Sequence, residues 1–281
     1  MKLATIRTAD TTAAVRIDGD SAVETGHSDV GALLRDPRWR QVAASASGTV
    51  HPTADLDYAP VVPRPRKIVC VGLNYRTHIQ EMGRELPRYP TLFAKFPEAL
   101  VGPYDDITLP AASDAVDWEA ELAVVIGARV RKADLATAAS GIAGYSVIND
   151  ITARDWQYRS PQWLQGKTFE ATAPFGPVVV TTDEVDGSAG LRLTCEVDGE
   201  TVQQADTSDL VFDPATLVEY VSRILTLEPG DVLATGTPGG VGHARIPRRY
   251  LTDGQVLVTR VDGIGELRNT CCAEKTEHGG D

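Results

Sequence analysis

The chain is poor in the residues that mark several common protein classes. Its 281 residues include only five histidines and four cysteines, and no two cysteines have the Cys-x-x-Cys spacing of a zinc or redox motif. The neighbours Cys271 and Cys272 are badly placed to bond to each other. We therefore expect reduced, structural thiols and a cytoplasmic location.

Basic residues and long apolar runs are also scarce. The 27 lysines and arginines are outnumbered by 39 aspartates and glutamates, which gives a formal net charge of −12. This balance argues against nucleic acid or an anionic membrane as a partner, because both are bound by basic patches. No apolar run has the length of a membrane span, and residues 1–10 lack the apolar core of a secretory signal.

The features that are present indicate a strand-rich globular protein. The hydrophobic fraction of 42% is ordinary for a globular chain. Asp-Gly pairs, which mark tight hairpin turns, begin at Asp18, Asp186, Asp198, Asp253 and Asp262. We predict an α+β, β-rich fold rather than a repeated β–α–β pattern.

The predicted elements divide the chain into three parts. Residues 1–65 form a small N-terminal α/β domain, residues 66–273 the main domain, and residues 274–281 a polar tail that is predicted to be disordered. Four prolines between residues 52 and 65 resemble a linker, and the first strand of the main domain is predicted at residues 67–72.

Three local patterns are clear enough to predict elements. Residues 15–17 and 21–23 flank Asp18-Gly19 and predict a hairpin, and residues 30–34 predict a short helix. A longer helix is predicted after Asp213, which can cap it. Pro214 fits its first turn, and its apolar stripe comprises Leu217, Val218, Val221, Ile224 and Leu225.

Glu119 and Glu121 carry the strongest single signal for chemistry. Residues 122–126 are apolar and indicate a buried strand, on which residues i and i+2 point to the same face. Two adjacent carboxylates in a partly buried site repel each other, and a bound divalent cation would neutralise that repulsion. Carboxylates suit Mg²⁺, Mn²⁺ or Ca²⁺, whereas a set without His or Cys disfavours Zn²⁺. The alternative is a strand whose glutamates face water.

His78 and Glu81 form a second candidate pair. They are three residues apart, so on a short helix they share a face. A carboxylate that orients one imidazole nitrogen leaves the other as a proton acceptor, the usual build of a general base. The alternative is a casual pair on a surface helix.

The segment after residue 144 adds further candidates. An apolar strand ends at Asp150, a potential third oxygen ligand, and Arg154 and Gln157 share a face of the next turn. Asp150 has the alternative role of a helix cap. Lys167 alone indicates a surface residue. The glycine-rich residues 236–242 lack the Gly-Lys-Ser/Thr of a phosphate loop, which disfavours a nucleotide-binding protein.

The ordered set of these motifs resembles the fumarylacetoacetate hydrolase family, and the short bacterial acylpyruvase-like and 2-hydroxyhepta-2,4-diene-1,7-dioate isomerase-like members in particular. The resemblance spans roughly residues 63–270. It rests on Lys-Ile-Val-Cys-Val-Gly-Leu-Asn-Tyr with His78 and Glu81, Glu119-x-Glu121, Asn149-Asp150 with Arg154-Asp155, Gly166-Lys167-x-Phe169, Thr235-Gly236-Thr237-Pro238 and Gly263-Ile264-Gly265-Glu266.

The resemblance implies a mixed β-sandwich roll, a homodimer and a metal-dependent site. Its metal ligands fall on Glu119, Glu121 and Asp150, with Mg²⁺ or Mn²⁺ as the expected ion. Lys167 matches a basic catalytic position, and Arg154, Gln157 and Thr237 match substrate contacts. His78 and Glu81 match a dyad that activates water.

The implied substrate is a small anionic keto acid. We rank first the hydrolysis of a C–C bond in an acylpyruvate-like 1,3-dioxo acid, with the metal chelating the keto acid and the dyad activating water. Decarboxylation or isomerisation of a 2-oxo acid of the oxaloacetate or hydroxymuconate type is the alternative. A catalytically silent binding protein and a metal that only stabilises the fold stay open.

Charged residues in two variable segments are predicted to be mostly solvated. One segment contains Arg84, Arg88, Tyr89 and Lys95, and the other contains Arg248, Arg249 and Tyr250. A single sequence does not separate pocket residues from surface residues in these segments.

Overall fold

The computed structural model describes residues 1–9, 11–81, 83–187 and 189–275. Strands dominate these ranges, and the helices between them are short. The strands are β1 (Lys2–Arg7), β2 (Thr12–Asp18), β3 (Ser21–Glu24), β4 (Val50–Pro52), β5 (Ile68–Gly72), β6 (Thr91–Lys95), β7 (Leu100–Val101), β8 (Ile107–Leu109), β9 (Val116–Asp117), β10 (Ala120–Ile126), β11 (Ile142–Asn149), β12 (Thr152–Ala153), β13 (Ala173–Thr181), β14 (Arg192–Val197), β15 (Glu200–Asp206), β16 (Val232–Ala234), β17 (Val256–Val261) and β18 (Gly265–Ala273). The helices are α1 (Val30–Leu34), α2 (Trp39–Ala44), α3 (Arg76–Glu81), α4 (Leu135–Ser140), α5 (Arg154–Gln157), α6 (Leu164–Lys167) and α7 (Pro214–Ile224), with 3₁₀ turns at Thr53–Asp55, Pro97–Ala99, Thr207–Asp209 and Gly242–Ala244.

Two main sheets organise the fold. The larger has the strand order β4-β3-β2-β1-β13-β11-β10-β16-β5-β6, with β7 paired to β13, and the smaller has the order β15-β14-β17-β18-β8. Most neighbouring strands are antiparallel, but β16 and β5 run parallel. This mixed, strand-rich architecture confirms the predicted α+β fold class.

The N-terminal strands extend the larger sheet. β1 pairs with β13, with Lys2 opposite Val180, and β2 to β4 follow outward from β1. The predicted division at residue 65 therefore cuts a continuous sheet, and its meaning as a domain boundary stays a prediction.

Strand β10 separates two apolar cores. Its even-numbered residues Leu122 and Val124 pack into one core, and the odd-numbered Ala123 and Val125 pack into the other. Both of its faces are covered, which explains the unbroken apolar sequence. Glu121 lies two residues before Ala123 and so continues the odd-numbered face, at the end of the strand where the candidate site lies.

The local predictions agree with the structure in most positions. β2 and β3 form the predicted hairpin, with Asp18 opposite Ser21, and α1 covers the predicted residues 30–34. Asp213 caps α7 by accepting a hydrogen bond from the Thr216 backbone N–H. One member of the predicted apolar stripe is wrong, because Ile224 is 58% exposed at the end of the helix.

The predicted tail is only partly covered by the described residues. Glu274 still belongs to the fold, because its backbone N–H donates to the Leu109 carbonyl and its carboxylate accepts from the Ala111 N–H. Residues 276–281, the rest of the predicted tail, lie outside the described residues. None of the described helices is both long and apolar enough to cross a membrane.

Candidate active site

Glu119, Glu121 and Asp150 meet where two central strands come together. β10 and β11 are antiparallel, and Ala120 lies opposite Asn149. The glutamates on either side of Ala120 therefore reach the same edge as Asp150, the residue after β11. One carboxylate oxygen from each of the three lies within 4.8 Å of the others, and all three side chains are buried. We call this group the carboxylate triad.

Burial and mutual repulsion make the triad unfavourable as a set of bare charges. Burial, followed by the charges of Asp150 and Glu119, raises the pKa of Glu121 well above its usual value. The Gly236 N–H donates to Glu121 Oε2 at 2.7 Å, and the positive φ of 100° at Gly236 suits glycine. A divalent cation at the triad would remove the repulsion, and an all-oxygen donor set fits Mg²⁺ or Mn²⁺.

Two buried lysines neutralise part of this charge. Lys167 Nζ donates to Glu119 Oε2 at 2.6 Å and to Asp150 Oδ2 at 2.8 Å. Burial alone would raise the pKa of Asp150, but Lys167 and then Lys95 outweigh it and lower that pKa. Lys95 Nζ forms an ion pair with Asp150 Oδ1 at 3.0 Å. This buried oxygen has no further partner among the described residues, which fits a cation ligand.

The position of Lys167 depends on close packing between α5 and α6. A Cβ at Gly166 would lie 2.5 Å from the Gln157 backbone nitrogen, so glycine allows the two short helices to touch. This contact places the buried Lys167 side chain beside the triad. The structure therefore brings Lys167 to the acidic residues, and its catalytic role stays a prediction.

The Arg154 guanidinium contacts three side chains and has one nitrogen without a partner in the described part of the chain. Its Nε donates to Asp117 Oδ2 at 2.8 Å, and its Nη1 contacts Glu119 Oε1 at 2.6 Å and Gln157 Oε1 at 3.0 Å. Its Nη2 is buried and has no hydrogen-bond partner among the described residues. A buried guanidinium nitrogen without a partner is costly, and an anionic ligand would satisfy it.

A cavity of about 320 Å³ opens onto these groups. Most of the predicted catalytic and substrate-binding residues line it, whereas Glu121 and Asp150 are not among the lining residues. The Thr237 hydroxyl is already engaged, because it donates to the Ala120 carbonyl and accepts from Gln203. The lining consists of Val71, Gly72, Leu73, His78, Arg84, Phe93, Glu119, Arg154, Gln157, Tyr158, Trp163, Lys167, Thr237, Val241, His243 and Ala244.

His78 and Glu81 lie on α3 at the edge of the cavity. Burial lowers the pKa of His78, against the opposing charges of Glu81 and Glu119. No hydrogen bond joins His78 and Glu81 within the described ranges, but a Cβ on Gly239 would lie 3.2 Å from His78 Nδ1 and 3.4 Å from Glu81 Oε2. Glu81 is exposed and lines a neighbouring cavity rather than the main one. The structure thus brings His78 to the site and leaves Glu81 beside it.

Three residues matter to the site in ways that the sequence did not predict. Lys95 was expected to be solvated, but its side chain is fully buried against Asp150. Asp117 holds Arg154, and the Asn149 amide holds the Glu119 backbone N–H at 2.8 Å. The i, i+2 spacing of Asp117, Glu119 and Glu121 is a signal that would have added Asp117.

The other charged residues of the variable segments behave mostly as expected. Arg88, Tyr89 and Arg248 are exposed, and Arg249 forms an ion pair with Glu200. Arg84 is exposed but forms part of the cavity wall. Tyr250 is partly buried and contacts His243, another residue of that wall.

Comparisons with known proteins agree with this architecture. Residues 67–272 match the family model described as fumarylacetoacetate (FAA) hydrolase C-terminal. The mitochondrial oxaloacetate tautomerase FAHD2A of Homo sapiens is 42% identical over 229 residues, which is 81% of this chain and 73% of that protein. The 5-carboxymethyl-2-hydroxymuconate delta-isomerase of Mycobacterium smegmatis is 35% identical with a TM-score of 0.82, and a fumarylacetoacetate hydrolase of Exiguobacterium antarcticum is 33% identical with a TM-score of 0.88. Each alignment with these two structures covers 98% of this chain and 100% of the other. The matched model spans most of the chain, and the chain belongs to the fumarylacetoacetate hydrolase family.

Proposed function

We propose that this protein is a divalent-metal-dependent enzyme that interconverts the keto and enol forms of a 2-oxo acid. The observation that carries the proposal is the buried, unpartnered Nη2 of Arg154, on the wall of the cavity that Glu119 and Lys167 also line. This arrangement offers one position for a carboxylate next to a cation-binding triad. The sequence ranks decarboxylation or isomerisation of a 2-oxo acid second, behind hydrolysis, and keto–enol interconversion is an isomerisation.

The protein supplies separate groups for binding and for charge stabilisation. Arg154 Nη2, which is buried and has no hydrogen-bond partner among the described residues, holds the substrate carboxylate. The Gln157 side chain, whose Oε1 accepts from Arg154 Nη1, lies beside it on the cavity wall. The Lys167 ammonium faces the oxygen that gains negative charge as the enolate forms. Its neighbours Asp150 and Glu119 outweigh burial and raise the pKa of Lys167, which keeps it charged. A divalent cation at the triad would polarise the 2-oxo carbonyl.

His78 is the group that moves the proton. Burial lowers its pKa, so the neutral imidazole that a base requires is present at neutral pH. In the keto-to-enol direction, His78 takes a proton from the carbon next to the carbonyl. The C–H electrons form the C=C bond, the carbonyl π electrons move onto the oxygen, and that oxygen receives the proton that His78 removed. No water molecule is consumed.

The names of two relatives support a proton-transfer reaction, whereas the Exiguobacterium antarcticum neighbour is named a hydrolase. The human relative is named an oxaloacetate tautomerase, and the Mycobacterium smegmatis protein is named a delta-isomerase. Both names describe reactions that relocate a proton and a double bond. A metal site, one base and one carboxylate anchor are sufficient for both.

We expect His78→Gln to lower kcat for enolisation about 10²-fold, because it removes the base and preserves the size and polarity of the side chain. Proton exchange at the carbon next to the carbonyl, followed by NMR in D₂O with Mg²⁺ present, measures this rate. Mg²⁺ affinity should stay unchanged, and His51→Gln, a substitution in β4, serves as the matched control. Undiminished exchange in His78→Gln would contradict the role of the base.

We expect Arg154→Lys to raise KM about tenfold or more with a smaller change in kcat. Lysine keeps the charge but cannot hold Asp117 and Glu119 and also present a second nitrogen to the substrate. The measurement is the full rate dependence on substrate concentration. A KM equal to that of the unmodified enzyme would show that the carboxylate binds elsewhere.

C–C bond hydrolysis of a 1,3-dioxo acid is the second candidate, and the closeness of Glu81 to His78 at Gly239 favours it. In that reaction the pair would deprotonate a water molecule rather than a carbon. Turnover of acetylpyruvate in ¹⁸O-labelled water distinguishes the two. Label in a newly formed carboxylic acid means hydrolysis, whereas deuterium exchange without cleavage supports enolisation.

A further inference from the structure

His243 forms part of the cavity wall on the side of the 3₁₀ turn Gly242–Ala244. The buried carboxylate of Asp117 holds the backbone of this turn. Asp117 Oδ1 accepts from the Gly242 N–H at 2.7 Å, and Asp117 Oδ2 accepts from the His243 N–H at 2.9 Å. The backbone that carries the imidazole is therefore held at two consecutive residues.

The imidazole of His243 is held in one orientation, and one of its two nitrogens stays available for a ligand. Its Nδ1 lies 2.9 Å from the Tyr250 hydroxyl, and its ring packs against Tyr158 with centroids 5.2 Å apart. Its Nε2 has no hydrogen-bond partner among the described residues. Burial, and next the charge of Arg248, lowers the pKa of His243, which favours a neutral ring. When Tyr250 donates to Nδ1, the neutral ring carries its proton on Nε2 and can donate it.

The same Asp117 fixes His243 relative to Arg154. Its Oδ2 accepts both the Arg154 Nε–H at 2.8 Å and the His243 backbone N–H. Two groups on the cavity wall, each with a spare donor, thus share one buried anchor atom. The distance between the free donors of Arg154 and His243 is therefore fixed. A ligand can bind both only if its two acceptor groups have a matching separation.

The charges around the cavity match a dianion better than a monoanion. When ionised, the four buried carboxylates at the site outnumber its three buried cations by one, leaving a charge of −1. A divalent cation at the triad changes this to +1, and Arg84 on the cavity wall makes it +2. The buried groups are Asp117, Glu119, Glu121 and Asp150 against Lys95, Arg154 and Lys167.

We infer that His243 is a specificity-determining residue that donates its Nε2–H to the second carboxylate of a dicarboxylic 2-oxo acid, while Arg154 holds the first. Tyr250 is a positioning residue, which orients the ring through Nδ1. This inference rests on the proposed function for the site and adds the residue that recognises the distal carboxylate.

The test compares ligands that differ only in the distal carboxylate. Malate and lactate share the 2-hydroxy acid end, and malate alone has a second carboxylate. Binding of each to the Mg²⁺-loaded protein is measured by calorimetry, with oxalate as a reference for the metal and Arg154 end. Because the readout is binding, it stays informative even if the enzyme turns over no 2-oxo acid.

We expect His243→Leu to weaken malate binding about tenfold and to change lactate and oxalate binding less than about twofold. His243→Gln, which keeps a donor, should recover part of the loss, and Tyr250→Phe should weaken malate binding by a smaller factor. His51→Leu is the control for loss of a histidine elsewhere. Equal losses for malate and lactate would mean that His243 only supports the wall, and unchanged malate binding would place the second carboxylate elsewhere. Either result would overturn the inference.

Discussion

Glu121→Gln is expected to stabilise the metal-free protein and to abolish its metal-dependent activity. Glu121 is buried beside two other carboxylates, and burial followed by these charges raises its pKa. Glutamine keeps an oxygen for the Gly236 N–H and removes a buried negative charge, which should add about 1 kcal/mol or more to the free energy of unfolding without metal. Loss of one cation ligand should lower kcat/KM about 10³-fold, since metal polarisation contributes several kcal/mol.

The pH dependence of the metal-free protein gives a second readout of the same residue. A carboxyl whose pKa is raised by folding contributes stability that is present below its unfolded value near 4.5. That contribution is lost as the pH rises through the folded pKa. The stability gained from Glu121→Gln should therefore be small at pH 4 and should grow toward neutral pH.

Thermal unfolding with EDTA and with Mg²⁺, over a range of pH, tests both parts of this prediction. The unmodified protein should gain stability from Mg²⁺, whereas Glu121→Gln should gain little. Glu170→Gln, at an exposed residue, is the matched control and should behave as the unmodified protein. A Glu121→Gln variant that is less stable without metal and still responds fully to Mg²⁺ would remove Glu121 from the cation site.

The two glutamates of the triad could be predicted from the sequence, because the alternation of side chains along a strand depends only on neighbouring residues. Glu119 and Glu121 stand next to an apolar run, and the i, i+2 rule places them on one face in any register. Their convergence with Asp150 depends on the pairing of β10 with β11, which periodicity does not give. The ordered resemblance to a family supplied that step.

The residues that surround the triad were harder to predict from the sequence. Lys95 ends a strand and precedes Phe96, a context that is equally common at a surface. Its burial follows from α6, which covers it and provides the Lys167 carbonyl as an acceptor. Asp117 and His243 are 126 residues apart, yet one hydrogen bond joins them. Such contacts follow from tertiary packing, and no local pattern encodes them.

Lys167→Met is expected to be strongly destabilising and nearly inactive. Lys167 Nζ contacts both Glu119 and Asp150, so its removal takes one counter-charge from each of two buried carboxylates. Glu119 keeps Arg154 and Asp150 keeps Lys95 as a counter-charge, so the expected loss is about 3 kcal/mol, at the low end for a broken buried ion pair, and would appear as a lower unfolding temperature. The missing donor at the developing oxyanion should lower kcat about 10²- to 10³-fold.

A structural defect and a catalytic defect can be separated in this variant. Because the freed carboxylates attract a cation more strongly, Mg²⁺ should raise the unfolding temperature of Lys167→Met more than that of the unmodified protein. Lys67→Met is the matched control, since Lys67 also pairs with a buried carboxylate, Asp231, but lies outside the cavity. It should lose stability, keep its kcat and show the ordinary response to Mg²⁺. If Lys167→Met, refolded and saturated with Mg²⁺, kept the full kcat, the ammonium would be a structural counter-ion without a part in the reaction.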